Sequence, residues 1–333
     1  MTTQGSRQNL KIQKWVAAVS LLLLIVKSIA YFSTHSVAVL TDALESIANV
    51  AAGFIGLYSL YLAAQPRDEN HPYGHGKAEF LSAAIEGTLI GIAGLIVLYK
   101  AIDQLVHPQT LHKLDLGIIL VAATAIVNYA LGSICIATGK KNHSIALEVS
   151  GRHLQTDTYS TIAVIAGLAL VFFTRIFWLD SIVAILLTIL LLRTSYIILR
   201  RSIAGIMDEA DQQLLEEMIA YINKNRLENW VDLHNFRVIK YGSVLHIDCH
   251  LTVPWYLNVA EAHHEIDQLA ALIRNEYGES VEFFVHSDGC KPFQCPLCRK
   301  QDCPVRQASF EKTIPWTLDN VLQNQRHRLK AKS

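Results

Sequence analysis

The chain has 333 residues, of which 51% are hydrophobic and only 17% are charged, and its formal net charge at pH 7 is zero. This composition is too apolar for an ordinary soluble domain and favours a protein that crosses a membrane several times. Without an excess of positive charge, the chain has no electrostatic means of holding a polyanion, so nucleic acid is excluded as an expected partner.

Six apolar stretches are long enough to cross a bilayer, since a membrane-spanning helix needs about 20 mainly apolar residues. In chain order they are Lys14–Phe32, Ser36–Ala64, Ala78–Val106, Leu116–Thr138, Ser144–Phe173 and Trp178–Leu199. They predict a six-helix transmembrane domain over residues 14–207, surrounded by membrane lipid and preceded by an N-terminal tail over residues 1–13.

The distribution of basic residues predicts how the helices are oriented. If the N-terminus is cytoplasmic, the outer loops hold only Lys113 and Arg175. The inner segments then hold Arg7, Lys11, Lys14, Arg67, Lys77, Lys140, Lys141, Arg200 and Arg201. Because Lys and Arg are enriched in cytoplasmic loops, we expect a multi-pass protein of the cell membrane with both termini in the cytoplasm.

From about Asp208 onward, the pattern is that of a small soluble domain. Helical periodicity and strand-like alternation follow one another in the order Ala210–Leu227 (helix), Trp230–Ile239 and Val244–Val253 (strands), Asn258–Tyr277 (helix) and Val281–His286 (strand). This α-β-β-α-β order predicts a metallochaperone-like α+β domain over residues 208–288, with its helices on one face of the sheet. A Cys-rich segment and a polar tail make up residues 289–333.

Four residues of metal-ligand type lie inside two of the predicted membrane helices. Glu45 and Asn49 are four residues apart in the second helix, and His153 and Asp157 are four apart in the fifth. Residues with this spacing share one helix face, and a charge at the bilayer centre costs about 2.5–3.5 kcal/mol, so such residues indicate function. Zinc prefers four tetrahedral ligands, which predicts one intramembrane metal site. Hydrogen bonds between helices are the alternative.

Three segments resemble motifs of the cation diffusion facilitator family. They are Asp42–Asn49 (DALESIAN), Asn70–Glu79 (NHPYGHGKAE) and His153–Asp157 (HLQTD), within a resemblance that spans about residues 10–288. It implies a homodimeric transporter, not an enzyme, that exports divalent metal cations from the cytoplasm, usually in exchange for protons. The resemblance also implies that the transport site consists of Glu45, Asn49, His153 and Asp157.

The second-helix pair departs from the family pattern for zinc transport, in which Asp or His is followed by Asp. Here Glu45 is followed by Asn49, so the carboxylate is longer and one negative charge is missing. The retained His153 favours Zn²⁺, Fe²⁺, Co²⁺ or Ni²⁺, whereas oxygen-rich sites suit Mn²⁺. Zn²⁺ is therefore the first expectation, and Fe²⁺, Mn²⁺, Co²⁺, Ni²⁺ and Cd²⁺ are alternatives.

The loop after the second helix carries a second set of ligand-type residues. The resemblance implies that Asp68, His71 and His75 form a cytoplasm-facing metal site, and the alternative is an ordinary loop with surface histidines. Lys77 and Asp208 resemble a charge interlock, meaning an ion pair at the junction of membrane and cytoplasm. A lysine at a helix end could equally extend to the lipid headgroups.

The predicted cytoplasmic domain carries a third candidate site. The resemblance implies metal ligands at His250, His263, His286 and Asp288, which would help to hold or sense the dimer. Val231 stands where that site often has a histidine, so the sequence does not predict the complete two-ion version. Solvated surface histidines are the alternative.

Four cysteines, Cys290, Cys295, Cys298 and Cys303, lie within fourteen residues. Their number matches a structural zinc site, although the C-x4-C-x2-C-x4-C spacing is not that of a standard finger. The first three also match a plant-type iron–sulfur spacing, but the fourth follows too soon. The segment could also sense or deliver metal, or bind none at all.

Two other classes of function compete with export. A membrane metal sensor would change its dimer geometry with cytoplasmic metal, but it needs no ligands at bilayer depth. An intramembrane metalloenzyme needs an open coordination position and a general base, and the sequence has no H-E-x-x-H motif. Divalent metal export is therefore the leading prediction, and the sensor is its alternative.

Overall fold

The computed structural model describes residues 3–63, 65–107, 113–141, 145–241, 244–278 and 281–329. The chain divides into two compact units, Met1–Tyr61 with Phe80–Ile203, and Leu62–Glu79 with Ala204–Ser333. Ala64 and Ser144, which bound two of the predicted apolar stretches, lie outside the described residues, as do the side chains of Arg7, Lys11 and Lys141.

Six long helices account for most of the first unit. They are α1 (Thr3–Thr34), α2 (Val37–Ala63), α3 (Ala78–Val106), α4 (Leu114–Lys141), α5 (Ile145–Thr174) and α6 (Trp178–Ile206). Among the described residues, each contains a segment that is apolar and long enough to span a membrane. The predicted six-helix membrane architecture is therefore confirmed.

The helices extend past several of the predicted ends. The prediction ended the sixth helix at Leu199, but α6 continues to Ile206 through Arg200 and Arg201. Charged residues end an apolar span, but they do not end a helix, because their backbone groups bond as well as any others. Asp208, with a φ of 57°, follows two residues after the helix end.

A carboxylate from α6 holds the first turn of α2. Asp180 is fully buried and accepts hydrogen bonds from the Ser36 hydroxyl at 2.5 Å and from the backbone N–H of Val37 at 2.7 Å. A helix N-terminus has unpaired N–H groups and a partial positive charge, so a buried carboxylate stabilises it. This contact fixes the start of the helix that carries Glu45 and Asn49.

Helices α4 and α5 approach each other at two glycines. A Cβ atom added to Gly132 would lie 2.8 Å from the carbonyl oxygen of Gly151, and one added to Gly151 would lie 2.6 Å from that of Gly132. Small residues at this point allow the two backbones to touch, as is common between membrane helices. Because His153 follows Gly151 closely, this contact also positions the α5 half of the predicted transport site.

The second unit contains the predicted α-β-β-α-β order, which confirms the fold class. Its elements are α7 (Gln212–Lys224), β1 (Asp232–Tyr241), β2 (Val244–Val253), α8 (Val259–Tyr277) and β3 (Val281–Gly289). The strands lie in the order β1-β2-β3, with β1 antiparallel to β2 and β2 parallel to β3. Helix α8 is the crossover that a parallel pair requires.

Both helices cover one face of this sheet. The core contains Met218 and Ile222 of α7, Leu269 of α8, and Ile247 and Leu251 of β2. Full burial of each such side chain stabilises the fold by about 1.5–3 kcal/mol. Because side chains alternate along a strand, the opposite face of β2 is left to His246, Asp248 and His250, as the sequence predicted.

The C-terminal segment packs against this domain. It contains a short 3-10 helix (Pro292–Leu297) and a one-turn helix, α9 (Leu318–Val321). Trp316 and Val321 are buried in the domain core, and the Arg226 guanidinium lies 4.0 Å from the Trp316 ring centroid. The sequence identified this region only as a polar tail, because two apolar anchors among many polar residues give no periodic pattern.

Candidate metal sites

The four residues of the predicted transport site belong to one contact between α2 and α5. The Asn49 side-chain amide donates a hydrogen bond to Oδ2 of Asp157 at 3.1 Å. On α5 itself, Nε2 of His153 lies 3.9 Å from Oδ1 of Asp157, as the spacing of four residues predicts. Glu45 also reaches α5, because its Oε2 accepts a hydrogen bond from the Ser160 hydroxyl at 3.4 Å.

A cavity of about 200 Å³ adjoins this contact. The described residues that line it include Asn49, His153 and Asp157, together with Lys27 and Asn128. The His153 side chain is 51% exposed, whereas that of Asp157 is 13% exposed. A cation entering the cavity would therefore meet an imidazole, a carboxylate and an amide, which are all groups that bind divalent metals.

A buried ion pair next to this site had not been singled out from the sequence. Lys27 of α1 is 2% exposed, and its ammonium donates to Oδ1 of Asp42 at 2.9 Å and to the Ser46 hydroxyl at 2.9 Å. The Thr161 hydroxyl of α5 donates to the same Asp42 oxygen at 2.9 Å. These contacts connect α1, α2 and α5. Removing one partner of the pair would leave an uncompensated buried charge and destabilise this connection.

The sequence did contain a signal for this pair. Lys27 and Asp42 each place a charge within an apolar stretch, and neither charge is tolerated at bilayer depth without a partner. Two opposite charges on consecutive predicted helices are therefore expected to form an ion pair with each other. The predicted ligands alone gave no reason to match them.

In the loop between α2 and α3, a carboxylate lies between two imidazoles. Asp68 places Oδ1 3.1 Å from Nδ1 of His71 and Oδ2 3.4 Å from Nε2 of His75. The two imidazole centroids are 4.3 Å apart. The backbone N–H of His71 donates to Asp68 at 2.6 Å, and this bond lowers the pKa of Asp68. The carboxylate is therefore ionised at neutral pH and able to bind a cation.

A row of three histidines crosses the sheet of the second unit. His234 of β1 pairs with His250 of β2, which pairs with His286 of β3. Asp288 lies two residues beyond His286, on the same side of the strand. Its carboxylate is 3.5 Å from His234, 3.4 Å from His250 and 3.5 Å from His286. This arrangement offers one carboxylate and three imidazoles to a metal ion.

His234 is a member of this cluster that the sequence analysis did not assign. The pairing of β1 with β2 is irregular between His234 and Arg237, and Asn235 has a φ of 52°. Such a bulge redirects side chains, so the direction of His234 could not be read from alternation. Val231, the residue before β1, is 3% exposed, and it is His234 that places an imidazole beside Asp288.

His263, which was predicted to join this site, lies on α8. Its Nε2 is 3.7 Å from Oδ1 of Asp267, and its side chain is 70% exposed. A cavity of about 260 Å³ is lined by both His263 and Asp288. His263 therefore shares a cavity with Asp288, but its imidazole lies outside the histidine row.

Two basic residues of the tail reach Asp288 and Asp232, the two carboxylates beside His234. The Arg326 guanidinium lies 2.7 Å from Oδ1 of Asp288 and also donates to the carbonyl of Gly289 at 3.1 Å. The backbone N–H of His327 donates to Asp232 at 2.8 Å, and the His327 ring contacts the same carboxylate. Partial burial raises the pKa of Asp288, but the Arg326 guanidinium has the opposite effect and holds that pKa below its usual value.

Lys77 and Asp208, which were predicted to form a charge interlock, are joined by an ion pair within the second unit. The Lys77 ammonium lies 2.9 Å from Oδ2 of Asp208 and donates to the carbonyl of Ile206 at 3.3 Å. Partial burial lowers the pKa of Lys77, but the Asp208 carboxylate has the opposite effect and raises that pKa above its usual value. Arg67 of the same loop forms an ion pair with Glu282 of β3.

Two groups of acidic and imidazole side chains already have ligand spacing. Among the described residues, the groups whose ligand atoms all lie within 4.8 Å of one another are Asp68, His71 and His75, and His234, His250 and Asp288. The membrane quartet and the four cysteines of the tail are more widely spaced than this among those residues. An ion would have to draw their side chains inward.

Comparison with protein families follows the same division of the chain. A family model described as the cation efflux transmembrane domain matches residues 14–207. A second model, described as the cytoplasmic domain of cation efflux proteins, matches residues 210–290. The first match covers more than half of the chain, and the second contains the row of histidines.

Individual relatives agree with these matches. An uncharacterized transporter of Synechocystis sp. is 35% identical over 234 residues, which are 70% of this chain and 76% of the relative. The cation-efflux pump FieF of Pectobacterium atrosepticum is 28% identical over 276 residues, or 81% of this chain and 89% of the relative. FieF of Shewanella oneidensis is 25% identical over 271 residues, or 81% and 90%. The chain therefore belongs to the cation diffusion facilitator family of cation-efflux transporters.

Proposed function

We propose that the protein exports divalent metal cations from the cytoplasm, with Zn²⁺ as the main substrate, in exchange for protons. The observation that carries the proposal is the cavity at the α2–α5 contact, which is lined by Asn49, His153 and Asp157. Ligands at this depth serve a passing ion, because a protein that only senses cytoplasmic metal has no need of them.

The transport ligands in this proposal are Glu45, Asn49, His153 and Asp157. One imidazole, two carboxylates and one amide suit Zn²⁺, and they also accept Fe²⁺, Mn²⁺, Co²⁺, Ni²⁺ or Cd²⁺. Glu45 would complete the set by turning from Ser160 toward the cavity. Rocking of the helices around the site would then open it to the two sides of the membrane in turn.

Exchange with protons follows from the chemistry of these ligands. A metal ion binds deprotonated carboxylates and neutral imidazole, so binding releases protons and protonation releases metal. Histidine is the side-chain type that titrates nearest to neutral pH. A proton gradient directed into the cytoplasm could therefore drive metal out.

Orientation and assembly complete the proposal. The loop between α2 and α3 belongs to the same compact unit as the domain that the cytoplasmic-domain model matches. This grouping supports a cytoplasmic loop, and hence cytoplasmic N- and C-termini around six spans. We propose that the protein is a homodimer, and that the Asp68 group and the Asp288 cluster bind metal ions that regulate or stabilise it.

Transport by the purified protein tests the proposal. Proteoliposomes with an imposed pH gradient would be given Zn²⁺, Fe²⁺, Mn²⁺, Co²⁺, Ni²⁺ or Cd²⁺ in turn, and metal flux would be recorded with a fluorescent indicator. We expect Zn²⁺ flux that falls when the pH gradient is dissipated. A protein that binds these ions but moves none of them would instead be a membrane metal sensor.

A further inference from the structure

We propose that Cys290, Cys295, Cys298 and Cys303 form a second kind of metal site, a closed tetrathiolate site for a thiophilic d¹⁰ cation such as Zn²⁺. Both family models end at or before residue 290, so this segment is an addition to the common transporter core. The site would be structural, because four protein thiolates leave no coordination position open for a substrate.

One guanidinium holds the cysteine segment in a compact loop. Arg306 donates hydrogen bonds to the carbonyl oxygens of Cys295 at 3.0 Å, Cys298 at 3.1 Å and Ala308 at 3.3 Å, and also to that of Lys300. Because one side chain binds four backbone carbonyls, the backbone of this segment curves around the Arg306 guanidinium. Two of these carbonyls belong to Cys295 and Cys298, which are proposed ligands.

Backbone hydrogen bonds also position the start of the cysteine segment and the turn within it. The N–H of Cys290 donates to the carbonyl of Val253 at 2.9 Å, which anchors the first cysteine to the end of β2. The 3-10 helix separates Cys290 from Cys298, and the N–H of Cys298 donates to the carbonyl of Cys295 at 3.2 Å. Cys295 and Cys298 thus lie on the two sides of one tight turn.

None of the four cysteines forms a disulfide, so all four thiols are free. Cys298 is only 8% exposed, yet it is not among the side chains that form the apolar core of this domain. Packing of an apolar core therefore does not account for four cysteines in this segment.

The charges around the cysteines match a bound anionic cluster. Four thiolates with one divalent cation carry a net charge of about −2. The same segment contributes Lys291, Arg299, Lys300 and Arg306, against one acidic residue, Asp302. Lys300 pairs with Asp302 at 3.1 Å, which leaves an excess of positive charge beside the thiols.

Metal binding would then order the tail that follows. The sulfur atoms are wider apart than ligand spacing, and bonds of about 2.3 Å to zinc would draw them together. Beyond Cys303 the chain buries Trp316 and Val321 in the domain core and places Arg326 on Asp288. The tetrathiolate site would thus fix the base of a segment that ends at the histidine cluster.

Cobalt substitution in the full-length protein tests the proposal. Protein purified in detergent would be stripped with a chelator, kept reduced with a phosphine, and titrated with Co²⁺. We expect a thiolate-to-cobalt charge-transfer band in the near ultraviolet that saturates at about one Co²⁺ per protomer. Sites made of His and Asp give no such band, so the result is independent of whether the protein transports metal.

Single substitutions and a chemical probe make the outcome decisive. C295S and C303S should each lose most of the band, whereas C135A, which removes a thiol in the membrane domain, should keep it. In the wild-type protein, Zn²⁺ should slow alkylation of the four thiols about tenfold or more, because bound thiolates do not react. Absence of the band in the wild type, an undiminished band in both serine variants, or unprotected thiols would overturn the proposal.

Discussion

At the scale of single residues, Asp288 is the side chain on which the cytoplasmic cluster depends. Its carboxylate contacts three imidazoles and the guanidinium of Arg326. Arg326 is itself a cation, and it pairs with Oδ1 of Asp288, whereas His234 and His250 face Oδ2. A metal that binds this carboxylate must displace the arginine or share the carboxylate with it.

Replacement of Arg326 should therefore strengthen metal binding at this cluster. In R326Q the competing charge is gone while a polar side chain is kept, and we expect the Zn²⁺ concentration at half-saturation to fall by about tenfold, equivalent to about 1.4 kcal/mol. The measurement is Zn²⁺ protection of His250 from carbethoxylation, followed by mass spectrometry of that residue in the full-length protein. R328Q, which alters an exposed arginine of the same tail, is the matched control. Equal midpoints in R326Q and R328Q would show that Arg326 does not compete with the metal.

Candidate site residues could be predicted from the sequence where a polar side chain lies within an apolar helix. Glu45, Asn49, His153 and Asp157 were found because polar ligands in apolar helices are costly. Lys27 was not matched with Asp42, because the partner of a buried charge depends on which helices pack together. That information lies in the tertiary fold and not in either stretch alone.

At the scale of elements, the contact between α4 and α5 positions the proposed transport ligands of α5. The two backbones touch at Gly132 and Gly151, where a Cβ atom has no room. His153 and Asp157 lie on the helical turns that follow Gly151. A displacement of α5 at this contact would therefore move both ligands relative to α2.

G151A should lower both thermal stability and Zn²⁺ flux. The added Cβ would lie 2.6 Å from the carbonyl of Gly132, and overpacking of this kind costs about 1–3 kcal/mol. Thermal unfolding in detergent and flux in proteoliposomes are the two measurements. G56A is the matched control, because a Cβ on Gly56 of α2 meets nothing within 4 Å. Similar behaviour of the two variants would contradict the role of this contact.

The elements themselves were largely predictable, and their irregularities were not. Apolar length identified six helices, and alternation identified β2 over Val244–Val253 as the structure has it. The bulge after His234 escaped prediction, because register is set by pairing with another strand. The packing of Trp316 also escaped, because a single aromatic residue in a polar tail has no period.

At the scale of the whole molecule, the chain combines a transporter core with an added segment. Family models account for residues 14–207 and 210–290, and the structure adds a cysteine loop and a tail that pack on the second unit. The candidate ligands of the membrane, the loop and the sheet are distributed over two compact units. In the function proposed above, metal is transported within the membrane, and metal bound outside it acts as the control.

The central claim is that divalent metal crosses the membrane through the α2–α5 site, and flux through variants of the full-length protein tests it most directly. D157A removes a carboxylate that contacts both Asn49 and His153. D103A is the matched control, because Asp103 of α3 forms the same four-residue pair with His107, at 3.2 Å and far less buried.

Both variants would be reconstituted at equal density, and initial Zn²⁺ flux would be measured under the same pH gradient. We expect the initial Zn²⁺ flux through D157A to be at least about tenfold lower than through the wild type, because a lost ligand costs more than about 1.4 kcal/mol of binding. D103A should retain the wild-type rate. Undiminished Zn²⁺ flux through D157A would contradict the assignment of the transport site.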